Sequence, residues 1–320
     1  MNNEMPVYVF TGFMDSGKTS LIHETLFENN FAADLNNILI ICCEDGDEEY
    51  DENELASIGA KLVMIENEED FTGERLKQLD DEFHPEAVFI EYNGTWEVAP
   101  LYEAEDGPEA WTIVQTLCTV DGSTFDMYML NMRTMMAEQM HRADVVIINR
   151  CTDETPKAKF RANVKSINRP AQIVYERTDG TIDDREDELP FDINADEIDI
   201  TDGDYAFWFM DCMDNPKKYD GKTVSFLGLV YNPTDAKGRL KPGTIVPGRF
   251  AMTCCVEDIQ FLGMKCKYKD SADIAHKSWI KLKAKVKNEF AIEYHGKGPV
   301  LYPISIEHAE KPQDELVYFS

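Results

Sequence analysis

The sequence is short of positive charge, of long apolar runs and of a basic start, and each shortage excludes a class of function. Only 31 Lys and Arg stand against 61 Asp and Glu, a formal net charge of -30. Nucleic acids and anionic membrane surfaces are polyanions, so no nucleic-acid partner is expected, and cation binding is favoured instead. No apolar run approaches the ~20 residues that a membrane-spanning helix needs. Met1-Asn-Asn-Glu-Met-Pro6 lacks a basic region followed by an apolar core. A cytoplasmic chain without direct membrane insertion is expected. What is present is 320 residues at 43% hydrophobic, enough for large cores and for two domains rather than one.

In a long intracellular chain the eight cysteines, Cys42, Cys43, Cys118, Cys151, Cys212, Cys254, Cys255 and Cys266, read as free thiols or metal ligands rather than disulfides. From Thr178 to Asp204 acids crowd together, with Arg185 as the only basic residue. Such a composition reads as a boundary. Residues 1–177 are expected to form one domain, 178–204 an acidic linker and 205–320 a second domain.

Ahead of the linker, apolar runs at residues 6–11, 37–43, 61–66, 87–91, 112–120, 144–149 and 171–175 read as buried strands. Amphipathic segments at 18–28, 73–83, 123–141 and 155–167 read as helices. Their alternation predicts an α/β domain with a largely parallel sheet covered on both faces. Gly12-Phe-Met-Asp-Ser-Gly17-Lys18-Thr19 lies at the first strand-to-helix junction and has the spacing of a P-loop. Exposed amides and the helix dipole hold an anion at such a junction. Gly12 and Gly17 let the backbone close on the phosphates, Lys18 reaches the β- and γ-phosphates and Thr19 holds Mg²⁺, with Asp15, Ser16 and Ser20 completing the nucleotide contact. The alternative is a glycine turn before a helix.

Hydrolysis also needs an acid that senses the γ-phosphate and helps place Mg²⁺ or water. Glu91 stands at the end of its strand, and Asn93-Gly94 lets the backbone turn beneath that phosphate and move when it is lost. Lys18 and Glu91 are the catalytic candidates. Asp45, after the second strand, is a further Mg²⁺ candidate or an ordinary loop acid. Base choice falls to Asn149-Arg150-Cys151-Thr152-Asp153: a carboxylate there accepts both hydrogen bonds from the edge of guanine, with adenine the alternative.

The order of these pieces resembles the CobW-type metallochaperone GTPases, over about residues 5–176. The resemblance is carried by Thr11-Gly12-Phe13 leading into Gly17-Lys18-Thr19, by Ile90-Glu91 with Gly94 and Pro100, and by Val120-Asp121 before a long helix ending in Ala137-Glu138-Gln139. Ala143-Asp144-Val145 and Asn149 complete it. It implies a GTPase that uses GTP and Mg²⁺ and handles a transition metal, commonly zinc or cobalt, for a client. Three positions depart from the family. Asp15 stands where it has Gly, and Arg150 with a late Asp153 replaces its Asn-Lys-x-Asp. Glu66-Asn67-Glu68-Glu69-Asp70 falls where its Cys-x-Cys-Cys metal motif belongs.

A rebuilt zinc site is one reading of Cys42 and Cys43 with Glu44 and Asp45 adjacent; buried structural cysteine is the other. Neighbours in a regular strand face opposite ways, so both thiols reach one ion only if the strand has ended. After the linker, runs at 205–209, 223–230, 249–255 and 280–290 punctuated by Gly and Pro read as an all-β domain. Lys281 to Lys287 alternates strictly, which places four lysines on one face, either solvated or docked on the acidic linker. Asp214 to Val224, Gly228-Leu-Val and Gly248 to Cys255 resemble the C-terminal domain of YcgQ-like permease-associated subunits, over about residues 205–308. That resemblance implies an OB-like barrel and a link to a transport complex. From the residues themselves, Cys254, Cys255 and Cys266, with His276 a weaker fourth, read either as a thiolate zinc site or as buried structural cysteine. The combined expectation is a GTPase coupled to a transition metal, zinc, and slow without a partner; the alternatives are a non-hydrolysing switch or adaptor and a small-molecule kinase.

Overall fold

The computed structural model describes residues 4–29, 31–46, 48–103, 107–234, 241–252 and 259–319. The chain divides into two compact units, Met1–Thr155 with Ile167–Arg185, and Pro156–Ser166 with Glu186–Ser320.

The first unit holds β1 (Met5–Thr11), α1 (Lys18–His23), β2 (Ile38–Cys42), α2 (Glu52–Ser57), β3 (Ala60–Met64), α3 (Gly73–Phe83), β4 (Ala87–Glu91) and α4 (Ala99–Glu103). It continues with β5 (Trp111–Asp121), α5 (Phe125–Asn131), α6 (Arg133–His141), β6 (Val145–Cys151) and, after α7 (Lys157–Ile167), β7 (Gln172–Arg177). Its seven strands lie in the order β3-β2-β4-β1-β5-β6-β7, and every pair is parallel. All residues of β2 and β4 are buried, which is why these strands are unbroken apolar runs rather than alternating ones. The chain adds strands to one side of β1 first and to the other side later, so the strand order reverses there. At such a point the carboxyl ends of the strands open a crevice for ligands. Register puts Phe10 and Cys42 level with Glu91, and Asp121 level with Asn149.

Helix boundaries follow local competition for the backbone. The helix expected over 18–28 is α1 followed by a single π turn, Glu24–Glu28, where the Thr25 hydroxyl donates back to the Leu21 carbonyl at 2.7 Å. The helix expected over 123–141 breaks at Met132 (φ -134°); Asn131 Nδ2 donates to the Met127 carbonyl at 2.8 Å, again beside the break.

The second unit holds α7, β8 (Glu197–Asp199), α8 (Tyr205–Asp214), β9 (Thr223–Tyr231), β10 (Thr244–Met252), β11 (Ile259–Gly263), β12 (Cys266–Lys267), β13 (Trp279–Ala291), β14 (Gly296–His308) and β15 (Leu316–Val317). It is mostly β, not all-β. The strand expected over 205–209 is the start of α8, whose residues from Tyr205 to Cys212 are all buried; a helix enclosed on every side loses the 3.6-residue pattern that would reveal it. The acidic segment is also more than a linker, because β8 pairs with β9 and buries Ile198 and Ile200 in the core with Trp208, Phe226 and Ile280. The strand order is β11-β10-β12-β14-β13-β9-β8, with a further pairing of β10 to β9. In β13 the expected alternation holds: Ile280, Leu282, Ala284 and Val286 are buried while Lys281, Lys285 and Lys287 are exposed. Lys283 forms an ion pair with Glu197 of β8.

Candidate nucleotide site

The first loop winds back under the start of α1 through backbone angles that few residues accept. Gly12 and Gly17 have φ of 126° and 98°, and Asp15 has φ 56°. Asp tolerates the left-handed region better than most side chains, so Asp15 keeps the fold of a loop that glycine would also suit. A Cβ on Gly12 would lie 2.2 Å from the Thr119 carbonyl oxygen, so no other residue fits there. Gln139 of α6 pins the loop from below: its side-chain oxygen accepts the Gly12 N–H at 3.1 Å, and its carbonyl accepts the Thr11 hydroxyl at 2.9 Å. Ser16 and Thr119 share a hydroxyl contact of 2.7 Å.

Lys18 is 2% exposed. Its ammonium donates to the carbonyls of Gly12 and Phe13, at 2.9 Å each, and forms an ion pair with Glu44. Beside it, the Thr19 hydroxyl donates to Glu91 Oε1 at 2.8 Å and the Tyr50 hydroxyl donates to Oε2 at 2.5 Å. Burial pushes the Glu91 carboxyl up, against those hydrogen bonds and the charge of Lys18. Gly94 presses its backbone on the loop, with no room for a Cβ that would come 2.4 Å from the Gly12 oxygen. A cavity of about 250 Å³ opens here, lined by Gly17, Lys18, Thr19, Glu44, Glu91 and Arg150. A second, of about 220 Å³, lies against Phe13, Thr119, Tyr128, Met136, Gln139 and Met140.

Of the expected residues, Asp15, Ser16, Gly17, Lys18, Thr19, Glu91, Gly94 and Arg150 thus converge. Ser20 turns to Glu48 and donates to it at 2.5 Å. Asp45 does not line the mouth; Asp15, Glu44, Glu48 and Glu91 are the carboxylates that do. Asn149 Nδ2 donates to the Ser16 carbonyl at 2.7 Å, while its Oδ1 is buried without a hydrogen-bond partner, the kind of orphan that a bound ligand satisfies. Arg150 has φ 53° and donates to the Asp15 carbonyl and to Asp121. Asp153 lines neither cavity. Its Oδ1 accepts from Arg177 at 2.9 Å and from Arg185 at 2.8 Å, and the hydrogen bond and charge of Arg177 hold its carboxyl below the usual range.

The described thiols do not assemble. Cys43 lies in the apolar core with Leu39, Ile41 and Tyr92, whereas Cys42 ends β2 and donates to the Glu44 carbonyl at 3.1 Å. Burial, then the charge of Glu91, pushes the Cys42 thiol up to about 12, and burial raises Cys43 as well. Cys266 sits in the core of the second unit and burial raises it to about 12. Cys254 and Cys255 lie outside the described residues. Among the described residues no three His, Cys, Asp or Glu side chains group as a metal site, which corrects the expectation of a zinc site at Cys42 and Cys43; strand alternation sends the two thiols into different surroundings.

Sequence reasoning passed over Glu44 as a phosphate-site residue, Tyr50 and Gln139 as positioning residues, and Asp121 as the partner of Arg150. Glu44 had a signal, as the first acid after an unbroken apolar strand; Tyr50 had none, because seven residues separate it from β2.

Residues 6–175, more than half of the chain, match the nucleotide-binding domain of the CobW/HypB/UreG family. The chain belongs to that family. The CobW/HypB/UreG proteins are metal-handling GTPase chaperones. Residues 176–319 match the DUF1980 C-terminal domain, so this CobW/HypB/UreG domain is joined to a DUF1980 one. Solved structures with likeness include Zn(II)-bound YjiA GTPase from E. coli, at 24% identity over 57% of this chain and 60% of that one, TM-score 0.42. Hydrogenase maturation factor HypB from Archaeoglobus fulgidus shares 17% identity over 56% of this chain and 83% of that one, TM-score 0.40. A Zn(II)-bound triple mutant of YjiA GTPase shares 19% over 71% and 72%, TM-score 0.44. The chain thus spans 60% of the length of the first YjiA structure. No curated protein matches. No helix among the described residues is long and apolar enough to cross a membrane.

Proposed function

We propose that the protein is a Mg²⁺-dependent GTPase whose nucleotide state governs the handling of a transition metal, zinc, for a client. The observation that carries this reading is the convergence of Lys18, the Thr19–Glu91 pair at 2.8 Å and the Gly94 backbone on one loop. A hydroxyl beside a carboxylate is an oxygen-only donor set of the kind Mg²⁺ takes, so Thr19 and Glu91 would hold the ion. Mg²⁺ held there would supply charge neutralisation for the phosphates.

The protein's own part is positioning and charge. Lys18 exchanges the Gly12 and Phe13 carbonyls for phosphate oxygens. Glu91, oriented by Tyr50, keeps the attacking water or the ion in place, and the Gly94 N–H meets the γ-phosphate. Rate enhancement from such groups is electrostatic and needs no covalent step. Asp153, held ionised by two arginines, is acceptor-only, the state that the two donors on the edge of guanine require. The second unit fits an OB-like barrel: β9, β10, β12, β14 and β13 pair in a ring, with β12 and β14 parallel and the rest antiparallel. Its DUF1980 likeness makes a transport complex the candidate partner. The zinc reading rests on the family, without a formed site among the described residues, and a cytoplasmic location accords with the described helices.

Phosphate release from GTP and from ATP, each with Mg²⁺ and with zinc titrated in, tests the reading. GTP-selective turnover that zinc alters is the expected result. Tight Mg·GTP binding without turnover at any zinc level would make the protein a nucleotide-dependent adaptor instead.

A further inference from the structure

Glu44 is buried at 7% exposure, and its carboxylate takes the donors at the far end of the loop. One oxygen pairs with the Lys18 ammonium; the other accepts the Gly94 N–H at 3.1 Å. These are the two groups that the function proposed above gives to the γ-phosphate: the lysine that reaches it and the backbone N–H of the turn that moves with it. A carboxylate and a terminal phosphate both present negative charge and paired acceptor oxygens.

We propose that Glu44 is a built-in stand-in for the γ-phosphate and determines how the site distinguishes nucleoside triphosphates from diphosphates. The inference rests on the nucleotide reading. A diphosphate leaves both Glu44 contacts in place. A triphosphate has to displace the carboxylate, breaking its bonds to Lys18 and Gly94, because two anions cannot share one ammonium at close range without strong repulsion.

The displaced segment is tied on both sides. The Cys42 thiol donates to the Glu44 carbonyl at 3.1 Å, and Asn93 Nδ2 donates to the Cys43 carbonyl at 3.0 Å. Arrival of a γ-phosphate therefore acts on the loop after β2 and the loop after β4 together. Glu91 adds to the pressure, since it faces Glu44 with like charge.

Calorimetric titration of GDP and of a non-hydrolysable GTP analogue, each with Mg²⁺, into wild-type, Glu44→Gln and Glu44→Ala protein tests the proposal. The analogue is expected to bind Glu44→Ala about tenfold more tightly than wild type, with Glu44→Gln in between, while GDP affinity stays within about twofold. The near-isosteric Gln variant guards against misfolding of the Ala variant. If analogue binding relative to GDP is unchanged or weaker in both variants, the proposal is overturned and Glu44 is a ligand of the triphosphate or its ion. If GDP and the analogue both fail to bind wild type and variants alike, the nucleotide reading itself falls, and the stand-in with it.

Discussion

Each unit of this chain buries a basic side chain, and the two are held in opposite ways. Lys18 is 2% exposed and Arg249 is 0% exposed. Lys18 is satisfied by carbonyls five and six residues away in its own loop and by a carboxylate on the loop after β2. Arg249 of β10 pairs with Asp202, donates to the Asp314 carbonyl at 2.9 Å and lies 5.2 Å from the centre of the Trp279 ring. Phosphate oxygens can replace the first set without unmaking any strand. The second set stitches together three stretches of chain that are remote in sequence. Burial of a charge alone therefore does not mark a working site; partners that a ligand can replace do.

Exchanging each cation tests that distinction. Lys18→Ala is expected to lower Mg·GTP hydrolysis by roughly a thousandfold while moving the urea midpoint little, because Glu44 can swing with its loop into water. Phosphate release and urea unfolding on one preparation give both readings. Full hydrolysis by this variant would sink the mechanism. Arg249→Leu should do the reverse, destabilising the second unit by about 3 kcal/mol and leaving nucleotide affinity intact, as followed by unfolding and calorimetry. Asn163 of α7, whose side chain donates to the Phe319 carbonyl at 2.7 Å, extends the comparison to a neutral tie. Asn163→Ala should cost about 1–2 kcal/mol in the same unfolding assay, with no effect on hydrolysis.

The buried carboxylates sharpen it further. Asp211 in the second unit is compensated by Lys218 at 2.9 Å and by the Tyr219 hydroxyl at 2.5 Å. Glu91 in the first unit is pushed upward by burial. Its folded state therefore favours the proton, and that contribution is complete below the ordinary carboxylate value of 4.5 and lost as pH rises through the folded value. The stability of Glu91→Gln relative to wild type should therefore rise from acid towards neutral pH. A difference in urea midpoints that stays constant across pH would show that burial does not raise the Glu91 carboxyl.

The same contrast explains what could be read from sequence. β4 was legible to the residue, because a strand covered on both faces is an unbroken apolar run, and Gly12 to Thr19 announced its loop through glycines that the backbone angles require. α8 was misread because its run of Tyr, Phe and Trp is buried all round and carries no period. β8 was hidden by acids on either side of Ile198. β14, whose Gly298, Pro299 and Pro303 look like turn residues, lies paired with β13 as Pro299 faces Asn288 and Pro303 faces Ala284. In the site, Lys18, Thr19 and Glu91 were foreseen from spacing. Glu44, Tyr50 and Gln139 were not, because their positions depend on which loops the sheet order brings to the mouth of β1.

Helix α7 lies between two strands of the first sheet in the chain, yet Ala162 packs in the core of the second unit. During synthesis at about 5–20 residues per second, the strand carrying Leu301 and the carbonyl of Phe319 follow α7 by roughly seven seconds or more. Through that interval α7 has left the ribosome with its own core still unmade, while β7 is already free to join the first sheet. A nascent chain halted near Arg185 would carry an almost finished nucleotide domain and an orphaned amphipathic helix, a natural point for a chaperone to hold it.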